Sequence, residues 1–102
     1  MSSVLPVRFA DLAEDDLAES WRYVAVHSVE QADRMLERIV EQCERLGRWP
    51  GTGRPRPELH AEARGLVAVN HLILYRVDKK GVEIMRVIYA ARDLSEVIGR
   101  KR

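Results

Sequence analysis

The chain has 102 residues, 46% apolar and 32% charged, which is the length of one domain and the composition of a packed one; intrinsic disorder and a two-domain organisation are excluded. Lys plus Arg number 17 against 16 Asp plus Glu, a formal net charge of +1, so any attraction to a polyanion must come from a local patch. Cys43 is the one cysteine and closes no intramolecular disulfide, the first residues lack a signal-peptide run, and no segment has the roughly 20 apolar residues of a membrane span; a single cytoplasmic domain over residues 1–102 is expected.

In chain order, Val4 to Phe9 is short, β-branched and aromatic, and reads as a strand. Asp11 with Glu14 resembles a capping box, and Ala13, Leu17, Trp21, Val24 and Ala25 then recur at helical spacing. A second box, Ser28 to Gln31, opens a helix whose seam is Ala32, Leu36, Ile39, Cys43 and Leu46, with Gly47 as its expected C-cap. The tight turn between the helices predicts an antiparallel αα-hairpin. Trp49 to Pro57 holds three prolines and two glycines, which forbid helix and sheet interiors and predict a loop. Strands are expected at Gly65 to Val69, Leu72 to Val77 and Val82 to Ala90, the last two joined by a turn over Asp78 to Gly81. Asp93 to Ile98 is expected to make one helical turn before the basic end, Gly99 to Arg102. The fold class is therefore α+β in the order β-α-α-β-β-β, a helical hairpin on one face of a small, mainly antiparallel sheet.

If Val77 pairs with Val82, one sheet face carries His71, Ile73, Tyr75, Val77, Val82, Ile84, Arg86 and Ile88. The other carries Leu72, Leu74, Arg76, Glu83, Met85, Val87 and Tyr89. Both faces are largely apolar, the pattern of a sheet covered on both sides. Two helices cover one side. The second is closed either by another polypeptide or by the proline-rich loop and the C-terminal segment, and composition does not choose between them.

His27, His60 and His71 lack the spacing of a helical metal site, and Cys43 on the inner seam reads as a small apolar residue. No phosphate-binding glycine loop is present, since Gly51 to Gly53 lacks the following lysine. No metal or other cofactor is expected. The remaining signal is arginine: Arg54, Arg56, Arg64, Arg76, Arg86 and Arg92. Guanidinium forks suit phosphate, carboxylate or internal pairs alike. Arg76 with Glu83, and Arg92 with Asp93, are expected to be internal pairs.

With these segments placed, the chain resembles the RelE/ParE superfamily of type II toxins, and within it the ParE branch. The residues carrying the resemblance are Ala13 to Ala25, Trp49 to Leu59, Leu72 to Val77 and Val82 to Asp93, in that order. Tyr89-Ala90 stands where that branch often has His-Gly. The resemblance implies a toxin of a plasmid-stabilisation type, neutralised by a cognate ParD-like antitoxin whose flexible C-terminal segment folds on it, and acting on DNA gyrase without being an enzyme. Direct nucleic-acid contact is then expected only through the antitoxin complex. The antitoxin is expected on Trp21, Met35, Leu72, Leu74 and Met85, with Arg76 and Arg86 anchoring its acidic residues. The target is expected at Arg54, Arg56, Arg64, Tyr89 and Arg92. RelE-type toxins instead cleave messenger RNA on the ribosome, which on this chain would draw on Arg64, Arg86, Tyr89 and Arg92. The chain has no lysine before Lys79, and Ile98 stands where RelE has tyrosine. A ribonuclease needs an acid and a base as well as a charge stabiliser, so the non-enzymatic reading leads. A third reading is a degenerate toxin that only binds antitoxin.

Overall fold

A computed structural model describes residues 4–90; the expected helical turn at Asp93 to Ile98, the Arg92–Asp93 pair and the basic end lie outside them. The elements are β1 (Val7–Phe9), α1 (Asp11–Ala25), α2 (Val29–Arg48), β2 (Arg54–Pro55), β3 (Arg64–Ala68), β4 (His71–Asp78) and β5 (Gly81–Tyr89). They form a five-stranded mixed sheet ordered β1-β5-β4-β3-β2, with β1 parallel to β5 and every other pair antiparallel. The helical hairpin lies on one face, as expected, and its turn is closed by the Ser28 hydroxyl, which accepts the Gln31 N–H at 3.1 Å.

Several local expectations are corrected. The N-cap of α1 is Ala10, whose side chain caps nothing; Asp11 is already helical. The Ala10 N–H is held at 2.9 Å by the Ile84 carbonyl, so β1's extended backbone runs into the cap and fixes the turn one residue early. Gly47 does not end α2, which runs on to Arg48. It sits in the last turn because the Leu5 N–H donates to its carbonyl at 2.9 Å, and only a residue without Cβ lets the Leu5 backbone so close. The proline-rich segment is not wholly loop. Arg54 and Pro55 pair with Gly65 and Arg64 at the sheet edge, the one place where a strand proline forfeits no ladder bond. On α2 the seam uses Met35 rather than Leu36: Met35 packs on the core, while Leu36 shares the outer surface with Glu37, Val40, Glu41 and Glu44.

The pairing Val77 with Val82 holds, but the face assignment does not survive along the whole strand. Tyr75 pairs with Ile84 and Leu74 with Arg86, so Met85 is a bulge. One extra residue exchanges the faces beyond it. Val87 and Tyr89 therefore share the helix-side face with Ile73 and His71, and Arg86 and Ile88 pair with Leu74 and Leu72. The core is Ala13, Ile39, Cys43 and Leu46 from the helices against Ile73, Tyr75, Val82, Ile84 and Val87 from the sheet. On the opposite face Leu72, Leu74 and Ile88 are 3%, 1% and 2% exposed. These three side chains are thus shielded from solvent. Leu59 and His60, from the segment after β2, share a cleft with Leu74 on that side.

Candidate functional site

The expected site residues fall into three places. The first is the free stretch of the β5 edge. Because β1 stops at Phe9, opposite Ile84, the strand beyond has no strand neighbour on that side among the described residues, and α1 takes its place. Asp16 accepts the Val87 N–H at 2.9 Å and grips Arg86 through two bonds, from Nε at 2.8 Å and from Nη2 at 2.9 Å. Both side chains are nearly sealed, 10% and 16% exposed. Arg86, expected to reach an acidic partner, is thus already committed to an internal carboxylate. Arg76 is likewise held by Glu83 at 2.8 Å, the cross-strand pair expected from sequence. Arg76, Glu83, Met85 and Arg86 line, with Leu12 of α1 and Leu59, a cleft of about 400 Å³. Leu72 and Leu74 are buried and offer no exposed contact. Across the β1 edge, Arg8 donates to Asp78 at 2.5 Å and holds its carboxyl down to about 2, well below the usual carboxylate range.

The second place is the other end of the sheet. His71 is fully buried; its Nδ1–H donates to the Val69 carbonyl at 2.7 Å, which leaves Nε2 to accept the Ser20 hydroxyl at 3.0 Å. Tyr89 stacks obliquely on His71 at 5.1 Å and on Tyr23 of α1 at 5.6 Å. Val69 and Asn70 both have positive φ, 53° and 60°, in the tight β3–β4 turn. Such a φ is costly for a β-branched residue, and the His71 bond to Val69 helps to hold it. Met35, Tyr89, Val69, Arg34 and Arg38 line a second cleft, of about 370 Å³. Tyr89 therefore stands with Met35 and not, as expected, with the loop arginines. Trp21, on the helical hairpin, donates to Asp33 at 2.8 Å and ties α1 to α2.

Burial pushes the His71 pKa below its ordinary value, against weaker opposition from the Val69 carbonyl and Asp16. The unfolded chain returns it to about 6.5 and so binds the extra proton over the interval between the two values. Stability rises with pH across that interval and is lost as pH falls below about 6.5. Urea midpoints measured from mildly alkaline to mildly acidic pH are expected to fall, and the His71→Gln chain to lose most of that slope. An unchanged slope in the variant would show that His71 does not carry it.

The third place is the loop after α2. Tyr75, fully buried, sends its hydroxyl through the sheet face to accept the Gly53 N–H at 2.8 Å and to donate to the Pro50 carbonyl at 2.7 Å. Arg64 Nη1 donates to the Gly53 carbonyl at 2.7 Å, and Thr52 to that of Trp49 at 2.7 Å. Gly53 is required there, because a Cβ would meet the Tyr75 ring and hydroxyl at 2.8 Å. Arg54 is exposed beside this turn, and the Arg56 stem crosses Gly65 while its Nε holds Glu58 at 2.6 Å. Arg54, Arg56 and Arg64 are thus gathered at the β2–β3 edge as expected. Arg92 lies outside the described residues.

Three contributors escaped the sequence reading. Asp16 and Ser20 fall on the apolar stripe of α1 with Ala13 and Leu17, and a carboxylate on such a stripe is itself the signal of a buried partner. Trp49 follows Arg45 and Arg48 at one helical turn and one residue, a spacing overlooked because it straddles the helix end. Among the described residues no group of His, Cys, Asp and Glu is placed to hold a metal ion, and no helix is long and apolar enough to cross a membrane.

Comparison with known proteins places this arrangement. The family described as the ParE toxin of the type II toxin-antitoxin system, parDE, matches residues 7–94, from β1 through β5. A solved structure, the chromosomal ParDE toxin-antitoxin system from P. aeruginosa, superposes with a TM-score of 0.72 at 25% identity, covering 84% of this chain and 96% of that one. The search of curated proteins gave no match. The family match runs from β1 past the end of β5, and over residues 7–94 the chain belongs to the ParE toxin family of type II toxin-antitoxin systems.

Proposed function

We propose that the chain inhibits DNA gyrase by binding rather than by catalysis, and that a ParD-like antitoxin neutralises it. The observation supporting a non-enzymatic action is the state of the groups that acid–base chemistry would need. The sheet histidine, His71, and the sheet tyrosine, Tyr75, are fully buried with their polar atoms bonded inside the fold. Burial lifts the Tyr75 hydroxyl above its ordinary pKa, further from use as a base. Arg86 and Arg76 are locked to carboxylates. A positioned acid and base within reach of one reacting atom is the requirement of general catalysis, and these side chains serve the fold instead.

The antitoxin's flexible C-terminal segment, on this reading, folds along the two clefts. Met35 with Trp21 on the hairpin receives one part; Met85, Arg76 and Arg86 receive another, with Leu72 and Leu74 forming the packed layer beneath. The target is met at Arg54, Arg56, Arg64, Tyr89 and Arg92, the first three at the β2–β3 edge and Tyr89 beside Met35.

Purified toxin is expected to impair gyrase supercoiling or to accumulate cleaved DNA complexes, and added antitoxin to restore activity. Normal supercoiling at large toxin excess would remove the proposal. Toxin-dependent cuts in translated message, mapped by primer extension, would replace it with the ribonuclease reading.

A further inference from the structure

Beyond the reading above, we infer that the loop after α2 is a binding platform for a single strand of nucleic acid, in which Trp49 stacks on an unpaired base and Arg45, Arg48, Arg54 and Arg64 hold the flanking phosphates. The first observation is the indole itself. Trp49 is 54% exposed, a costly position for so large an apolar ring. The guanidiniums of Arg45 and Arg48 lie 5.7 and 5.6 Å from its ring centroid. Trp49 also borders a cleft of about 200 Å³ with Arg45, Thr52 and Leu66, an opening on the scale of one planar base.

The second observation is charge. Among the described residues, Arg8, Arg34, Arg56, Arg76 and Arg86 each hold an Asp or Glu. Of the arginines in no salt bridge among the described residues, Arg22 and Arg38 lie within the helices, while Arg45, Arg48, Arg54 and Arg64 gather around residues 49–54. The chain as a whole is nearly neutral, so this is the local patch that a polyanion would need.

The third observation is rigidity. The exposed turn is tied from below by the Tyr75 hydroxyl, from the side by Arg64 and internally by Thr52. A surface held in place before binding loses little freedom on binding. Aromatic faces beside guanidiniums bind single strands by stacking plus phosphate contact, with strong salt dependence. An acidic protein segment would satisfy the cations but would leave the slot beside the indole, bordered by Thr52 and Leu66, unused.

The test uses the full chain carrying Trp21→Phe, so that Trp49 alone reports by fluorescence, together with fluorescein-labelled oligothymidylate, oligouridylate and a DNA duplex in anisotropy titrations. No gyrase is present, so failure here and failure of the gyrase reading are separate results. Saturable single-strand binding with quenching of Trp49 is expected, and the preferred oligonucleotide distinguishes a DNA from an RNA source. Trp49→Ala is expected to weaken binding by roughly 5- to 150-fold, while Trp49→Phe retains most of it. Arg45→Gln, Arg48→Gln and Arg54→Gln are each expected to lower the slope of log affinity against log salt by about 0.7. The substituted residues Arg45, Arg48, Trp49 and Arg54 are all exposed, and unchanged far-UV circular dichroism verifies the fold. The inference is overturned by absence of saturable binding at low salt, by tighter binding of duplex than of single strand, or by affinity indifferent to Trp49→Ala. It is equally overturned if these substitutions abolish capture of a protein target while the chain binds no oligonucleotide.

Discussion

Replacing Asp16 with alanine is expected to lower the free energy of unfolding by about 3–5 kcal/mol, the cost of breaking a buried ion pair from one side. The figure applies because Asp16 and Arg86 are only 10% and 16% exposed and because the carboxylate does two tasks. It neutralises Arg86, and it accepts the Val87 N–H that no strand accepts. Alanine leaves a guanidinium with its main counter-charge gone and a buried amide without an acceptor. Domains of this size are stable by about 5–15 kcal/mol in all, so the loss is a large fraction of the total. Urea denaturation followed by circular dichroism measures the loss. Asp16→Asn, which keeps an acceptor for Val87, is expected to lose less. Removing both charges in Asp16→Asn with Arg86→Met is expected to recover part of what Asp16→Ala loses, since an apolar replacement of a buried pair is far less costly than a broken one. A loss below about 1 kcal/mol in Asp16→Ala would mean that the pair is solvated in solution. The released edge of β5 would also become available to foreign strands, so aggregation of this variant during refolding is a second expected outcome.

Gly47→Ala is expected to destabilise by about 1–3 kcal/mol net of the gain of about 1 kcal/mol that helix propensity alone would give. The position lies in the last turn of α2, and an added Cβ would collide with the Leu5 carbonyl oxygen while standing 3.0 Å from Val7 Cγ2. Leu5 and Val7 pack on the core, and the Leu5 N–H is bonded to Gly47 itself. Relief of the collision therefore moves the whole entry into β1. The magnitude combines overpacking, about 1–3 kcal/mol, with one hydrogen bond of about 1 kcal/mol. Thermal or urea midpoints decide it; a stabilised variant would show that the strap before β1 is not docked on α2 in solution. β1 in turn provides the parallel partner of β5, so the same substitution is expected to weaken antitoxin binding wherever the β5 edge contributes.

These two sites also show how differently the sequence speaks about its own parts. Ser28 and Gln31 announced the start of α2, and the Ser28 cap forms, because a capping box is a bond between neighbours and needs nothing distant. Asp11 and Glu14 offered the same pattern without the result, because the Ile84 carbonyl, far along the chain, fixes the Ala10 backbone first. The pair Arg76 and Glu83 was legible from the two-residue period of a hairpin with a known turn. The pair Asp16 and Arg86 was not, since 70 positions separate them and only the docking of α1 on the unpaired stretch of β5 brings them together. The likeness to the ParE family rested on residues from α1, the segment after α2 and the strands β4 and β5, and the family match spans residues 7–94.

The order of the elements other than β2, the helical hairpin, the register of Val77 against Val82 and the family were properties of the sequence alone, because local periodicity, turn chemistry and motif order suffice to specify them. Which side chains face the core beyond Met85, what covers Leu72 and Leu74, and which arginines are left without carboxylates were decided by tertiary structure. A single bulge reverses the faces of a strand at no cost that the sequence displays, and a charge is neutralised by whatever group the packing brings within bonding distance, however far away it lies along the chain.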